Sequence, residues 1–327
     1  MIAAIGAFDG FHKGHQALLS VAAKRAEESG TGWGIVTFER HPEAVLSSPK
    51  FKALFTIGER MMLENFFHIP TSIRLAFTDE LSQMMPGQFL DYISREFGVR
   101  GVVVGEGFKF GKARSGTAEL LASESRERGW VFDSLPLLCD SGGSVISSTT
   151  IREAVTAGDM TGVWEMQGYP FFCVNRVIHG KERGRALGHP TANLDISPNK
   201  VSIRYGVYAT LVFAMNNWYI GAANAGSNPT FDDVEGMRFE VHLLDFCGDL
   251  YGLELAVFII ERVRDEIRFD GPGSLKKQIR DDARVIKDIG RRAMERCPEL
   301  WDTLGKAILK AHISPMSSRS AQNRPSS

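Results

Sequence analysis

Apolar positions along the chain follow two different periods. Through residues 2–160, short apolar runs alternate with stretches whose apolar residues recur every three or four positions, the pattern of βαβ units around a parallel sheet. The runs at 2–5, 34–38, 98–104 and 130–138 predict strands. Residues 16–28, with Leu18, Leu19, Ala22 and Ala26 on one face, and residues 86–97 predict helices. A short helix over 150–156 closes this part, with a capping box from Thr150 to Glu153 and Gly158 as its stop. Beyond about residue 170 the texture becomes β-branched and aromatic residues between Gly, Asn and Pro turns. Strands are expected at 171–178, 205–214, 218–222, 238–246 and 253–263, forming an antiparallel barrel. One helix follows at 275–289, begun by Ser274 and ended by Gly290.

A length of 327 residues fits two domains at roughly 150 residues each. The expected division is 1–160, then 161–175 as linker and first barrel strand, 176–312 as the second domain, and a disordered tail at 313–327, where apolar side chains almost vanish. Charge removes one class of partner. Residues 1–160 carry 16 basic and 19 acidic side chains and the remainder 22 and 20, so neither half has the basic excess of a nucleic-acid or membrane-surface module. No apolar run approaches the ~20 residues that span a bilayer, and the four cysteines match no zinc or disulfide spacing. A cytoplasmic protein is expected. The 33 glycines cluster in short loops, as where backbone approaches a ligand.

The densest chemical constellation is GAFDGFHKGH at 6–15, where the first strand hands over to the first helix. That junction is the ligand crevice of an open α/β sheet. Gly6, Phe8, Asp9 and Gly14 would shape it, and His12 and His15, three apart at a helix start, would meet phosphate. Alone, this motif is equally compatible with a glycine turn bearing two solvated histidines. A second set, ISSTTIR at 146–152, again opens a helix, and Ser147, Ser148, Thr149 and Arg152 offer hydroxyls, amides and a guanidinium to phosphate. Taken alone, its hydroxyls could simply be helix caps. Together the two sets suggest a nucleotidyltransferase in which an acceptor phosphate attacks the α-phosphorus of ATP and pyrophosphate leaves.

In the β-rich half, Thr191 and Asn193 project to one face of an extended segment and offer two oxygens to Mg²⁺ carried by ATP. On the strand around 239–245, Glu240 alternates with Phe239 and Val241. It is expected to point into the barrel interior and accept a substrate proton, with a solvated carboxylate as the plainer reading. Phe231, Phe239, Tyr251 and Phe269 offer rings to a planar ligand.

The ordered set GAFDGFHKGH, TFERHPE, VVVGEGFKFG, ISSTTIREAV, GRALGHPTANL, YGVYA, NAGSNPTF, FEVHLLDF, DLYG and the Arg-Phe-Asp segment before the final helix resembles the bacterial bifunctional riboflavin kinase/FAD synthetase family, over nearly all of the chain up to about residue 290. The resemblance implies an α/β Rossmann-like nucleotidyltransferase domain that adenylylates FMN with ATP. It also implies a six-stranded antiparallel β-barrel with a C-terminal helix that phosphorylates riboflavin at its 5′-hydroxyl. Mg²⁺ would serve both steps, with riboflavin, FMN and FAD as substrates and products. By the same resemblance His12, His15 and Arg152 contact ATP phosphates, Gly184, Gly188 and Pro190 shape the kinase's nucleotide loop, Thr191 and Asn193 hold Mg-ATP, and Glu240 is the general base. Ala7, Gly107, Asn175 and His189 depart from the family's usual residues. A kinase with a weakened adenylyltransferase half, and a non-catalytic flavin or nucleotide carrier, are the alternatives. Partners are expected to be small molecules; oligomeric state is left open, with weak self-association as one option.

Overall fold

The structure is a computed structural model that describes residues 1–46, 51–178, 191–227, 237–313 and 319–320. The chain forms two compact units, residues 1–53, 60–148 and 311–327, and residues 54–59 and 149–310.

In the first unit, strands β1 (Ile2–Ile5), β2 (Trp33–Phe38), β3 (Ser72–Leu75), β4 (Gly101–Gly105) and β5 (Val131–Leu135) form a parallel sheet in the order β3-β2-β1-β4-β5. The connection from β1 goes to one side and β4 lies on the other. The loop after β1 therefore sits at the switch point where such sheets bind ligands. Ala3, Ile5, Val36, Ile73, Val102 and Val104 make one buried layer with Phe89, Leu90 and Ile93 of the helix Pro86–Phe97. That helix occupies its predicted span because Pro86 opens it and Gly98, at φ +68°, closes it. The helix Lys13–Glu28 buries Leu18, Leu19, Ala22 and Ala26 as expected, but starts ahead of residue 16, with His12 as its N-cap.

The helix Ser148–Ala157 likewise begins before the expected 150, so Thr150 lies inside it rather than capping it. The helices Ile57–Phe66 and Ala118–Arg128 and strand β3 were not expected from the pattern. The first helix hides Glu59, Arg60 and Glu64 on its buried side, and Arg74 of β3 is buried against Glu64.

The second unit is a closed barrel of β6 (Phe171–Ile178), β7 (Ala192–Leu194), β8 (Gly206–Ala214), β9 (Asn217–Ser227), β10 (Met237–Leu243) and β11 (Glu254–Arg264), in the antiparallel order β10-β7-β6-β11-β8-β9. Its helix, Pro272–Arg296, does not stop at Gly290. A Cβ there would come within 2.8 Å of Ile220, so the glycine serves close packing instead of termination. A further helix, Pro298–Ile313, comes next. Within the expected disordered tail, Arg319–Ser320 form strand β12, parallel to β3 at the edge of the first unit's sheet; the rest of 314–327 lies outside the described residues.

One buried ion pair anchors residues 54–59 in the barrel unit. Lys200 Nζ donates to Glu59 at 2.6 Å and to the carbonyl of Phe172 at 2.8 Å, and both side chains are at most 2% exposed. Glu59 also accepts the amides of Thr56 and Val174. The ammonium lies 4.5 and 4.7 Å from the ring centres of Phe55 and Phe171, a favourable site for a cation once desolvated. Replacing Glu59 by Ala leaves a buried charge without its partner and should destabilise the second unit by roughly 3–5 kcal/mol, whereas the double replacement Glu59→Gln with Lys200→Met should restore most of that loss. Denaturant titrations of the three proteins check this.

Candidate active sites

At the end of β1 the chain bends sharply between Gly6 and His12. Phe8, Gly10 and Phe11 all take positive φ, 49°, 93° and 34°, and for Phe such a conformation persists only where surrounding packing enforces it. Here both rings are fully buried and stack on each other at 5.4 Å, with Phe11 also stacked on Phe67 at 5.7 Å. Three carbonyls of the bend are each held by a side chain. Thr37 Oγ1 donates to Ala7 at 3.1 Å, Ser148 Oγ to Asp9 at 2.6 Å and Gln16 Nε2 to Phe11 at 2.8 Å.

The bend delivers His12 and His15 together. Their rings stack at 3.8 Å, and Phe8 lies 5.0 Å from His15. Burial pushes His12 down to about 4. His15 is held well below the ordinary range, by burial first and then by His12 and Arg60. Both rings are thus neutral near pH 7, and neither Nδ1 atom has a hydrogen-bond partner among the described residues. Gly14 leaves room beside them: a Cβ there would lie 3.1 Å from the His12 ring, tight enough to press on it.

The structure sorts the expected phosphate contacts. Phe8 and Asp9 are buried, at 0% and 2% exposure, so their side chains build the bend instead of meeting a nucleotide. Ser148 directs its hydroxyl proton to the bend, and what the helix start offers an anion is its backbone. Gly6 ends β1, its amide bound to Val36. Ser147 immediately precedes the helix, and Thr149 and Arg152 lie on it, in the second unit.

In the barrel, strand alternation decides what faces outward. Phe239, Val241 and Leu243 are buried at 1%, 0% and 3%, and fill the inside together with Ala192, Leu194, Ala223 and Ala225, their neighbours in register. Glu240 therefore points to the outer face, contrary to the expectation that it enters the interior. Phe239 is likewise unavailable as a ring for a ligand.

On the outer face Glu240 stands directly between Asn193 of β7 and Asn224 of β9. It accepts from Arg238 at 3.1 Å. A cleft of about 550 Å³ opens there, lined by Thr191, Asn224, Glu240, Arg264, Phe269 and Asp282 among others, within the range for small-molecule sites. Asp282 grips Arg264 through Nε and Nη2, at 2.7 to 3.1 Å.

Sequence reading missed Asn224, Arg264 and Asp282. For the first, the available signal was its place at the head of the NAGSNPTF motif. Gly184, Gly188, Pro190 and Phe231 lie outside the described residues, and Tyr251 is not among the residues lining the cleft.

Known proteins resemble the chain along both units. The FAD synthetase family model matches residues 1–150 and the riboflavin kinase model residues 167–290. A bifunctional riboflavin kinase/FMN adenylyltransferase of Listeria monocytogenes is 32% identical over 285 residues, covering 86% of this chain and 90% of that protein. The protein of the same description from Escherichia coli K12 is 33% identical over 289 residues, covering 87% and 91%. A crystal structure from Streptococcus pneumoniae, described as a macrolide-efflux protein, is 30% identical with a TM-score of 0.81, covering 88% of this chain and 93% of that one. Among the described residues, no helix is long and apolar enough to cross a membrane.

The neutral His12 carries a stability consequence. Its folded value, about 4, lies below the ~6.5 of an unfolded chain, so between these values the unfolded state binds the extra proton and stability falls as pH falls. From pH 7 to pH 5 the first unit should lose about 2 kcal/mol through this group. Hydrogen exchange of the Ala4 and Val36 amides reads it, and His12→Gln should reduce the slope.

Proposed function

Because this chain belongs to the bifunctional riboflavin kinase/FMN adenylyltransferase family, we propose that its two reactions divide between the bend of the first unit and the outer cleft of the barrel. The chain is a riboflavin kinase, converting riboflavin and ATP to FMN and ADP, and an FMN adenylyltransferase, converting FMN and ATP to FAD and diphosphate. The adenylyltransferase domain is assigned to 1–160 and the kinase to 176–312, with 161–175 joining them. Two separately built anion sites, one within each family-model segment, carry this division.

In the adenylyltransferase an oxygen of the FMN phosphate attacks the α-phosphorus of ATP, and diphosphate leaves. Such a transfer needs positioning and charge stabilisation, not a covalent nucleophile. His12 and His15 supply N–H donors from a desolvated, fixed pair. Ala7 lends the bend its carbonyl, a contact that does not depend on which side chain stands there, which supports an active adenylyltransferase despite that departure.

In the kinase, Glu240 accepts the proton of the riboflavin 5′-hydroxyl as its oxygen attacks the γ-phosphorus, and ADP leaves. Thr191 and Asn193 suit Mg²⁺: Asn193 of β7 shares the outward face with Glu240, Thr191 just before the strand lines the same cleft, and neutral oxygens complement a cation already bound to phosphate. When bound, Mg²⁺ neutralises developing phosphate charge. Phe269 and Ile267 of the cleft offer apolar surface to the flavin ring. A cytoplasmic setting belongs to the same reading, supported by the free state of Cys139, Cys173, Cys247 and Cys297.

His12→Ala should slow FAD formation on the order of 10²-fold, the loss typical of one transition-state charge stabiliser, and leave FMN formation nearly intact. Glu240→Ala should do the reverse. Product analysis resolving FMN from FAD over time reads both, and a folded variant that lost both steps would refute separate sites.

A further inference from the structure

We propose that Arg60 is a positioning residue for adenylyl transfer, holding the phosphate-binding bend from beneath through Thr37. Arg60 lies in the helix Ile57–Phe66 and is buried, at 7% exposure. Its Nη2 donates to Thr37 Oγ1 at 2.9 Å and to the carbonyl of Phe38 at 3.0 Å. The Thr37 hydroxyl, accepting from Arg60, is thereby oriented to donate its single proton to the Ala7 carbonyl at 3.1 Å. Ala7 is the residue immediately before Phe8, where the backbone first turns left-handed.

A relay therefore runs from a buried guanidinium, through one fully buried hydroxyl, to the residue at which the bend starts. Hydrogen bonds from a charged donor are the stronger kind, and a hydroxyl that accepts from a cation is a better donor in turn. The other two carbonyl clamps of the bend come from neutral side chains, Gln16 and Ser148.

The placement of charge fits this role better than a purely structural one. Of the carboxylates whose fields reach Arg60, Asp9 and Glu64, Glu64 is already engaged by Arg74. The remaining one, Asp9, belongs to the bend itself. Arg60 Nε has no partner among the described residues, and its Nη2 reaches β2 at both Thr37 and Phe38.

The inference rests on the bend being the adenylyltransferase phosphate site, and the test separates the two. FAD formation from FMN and ATP, and FMN formation from riboflavin and ATP, are measured on full-length Thr37→Val, Thr37→Ser, Arg60→Met and His12→Ala. Thr37→Val should lower kcat for FAD formation about 10-fold and Arg60→Met about 10²-fold, the scale of a small misplacement of reacting groups, with KM for FMN and ATP changed by no more than about twofold. Thr37→Ser, which keeps the hydroxyl, should recover most of the rate. FMN formation should be unchanged in all four, and the nearly unchanged KM for FMN and ATP shows that the first unit of Thr37→Val and Arg60→Met is folded. Unaltered kcat in Thr37→Val and Arg60→Met while His12→Ala is slow would overturn the relay, and so would Thr37→Ser as slow as Thr37→Val. A parallel loss of FMN formation in Arg60→Met would make Arg60 a folding residue and overturn it too. If His12→Ala itself were without effect, the site assignment beneath the inference would fall instead.

Discussion

A tight left-handed bend after β1 is the constraint around which the first unit is built. Two non-glycine residues at positive φ cost of order 1–3 kcal/mol each, and the chain meets that cost with the side chains of the same two residues. Phe8 and Phe11 are driven into the core and stacked, and burying a Phe side chain contributes roughly 1.5–3 kcal/mol. The strained backbone and its compensation are therefore local to one another. The chemistry depends on the bend in turn: the next helix takes His12 as its N-cap, and its first turn brings His15 back over the same spot.

The barrel obeys a different constraint with a similar result. A closed barrel this small has no room inside for a nucleotide or a flavin, since its interior is filled by Phe239, Val241, Ala223 and their neighbours. Polar residues of the alternate register are pushed to the outer face, where Asn193, Glu240 and Asn224 line up across three strands. A one-residue slip of β10 would bury Glu240 and expose Phe239. The packing of the core thus fixes the Glu240 carboxylate as firmly as any contact made to it directly.

Sequence patterns were informative where apolar spacing and caps agreed. The four buried positions of the first helix, the span of Pro86–Phe97 and the bounds of β6 were all legible. The helix Ile57–Phe66 was not, because Glu59, Arg60 and Glu64 occupy positions that a pattern search reserves for apolar residues. β3 hides Arg74 in the same way. Gly290 misled for a related reason, since a glycine chosen for close approach to Ile220 reads like a helix stop. Motif residues such as His12, His15 and Glu240 could be picked out, but the direction in which Glu240 points is a property of register across three strands.

The ion pair of Glu59 and Lys200 has a bearing on how the protein is made. Its partners are 141 residues apart, so during synthesis the carboxylate leaves the ribosome long before its lysine exists. The helix that begins at Ile57 has Arg60, Glu64 and Leu63 in the first unit while Glu59 belongs to the second. Residues 60–148 of the first unit therefore emerge with one turn of this helix still lacking its counter-charge, while Lys200 and then residues 311–327 of the same unit follow, and contacts of such sequence separation form late. Nascent chains that end before Lys200 therefore hold Glu59 without this partner, and the buried pair can form only once the lysine has emerged.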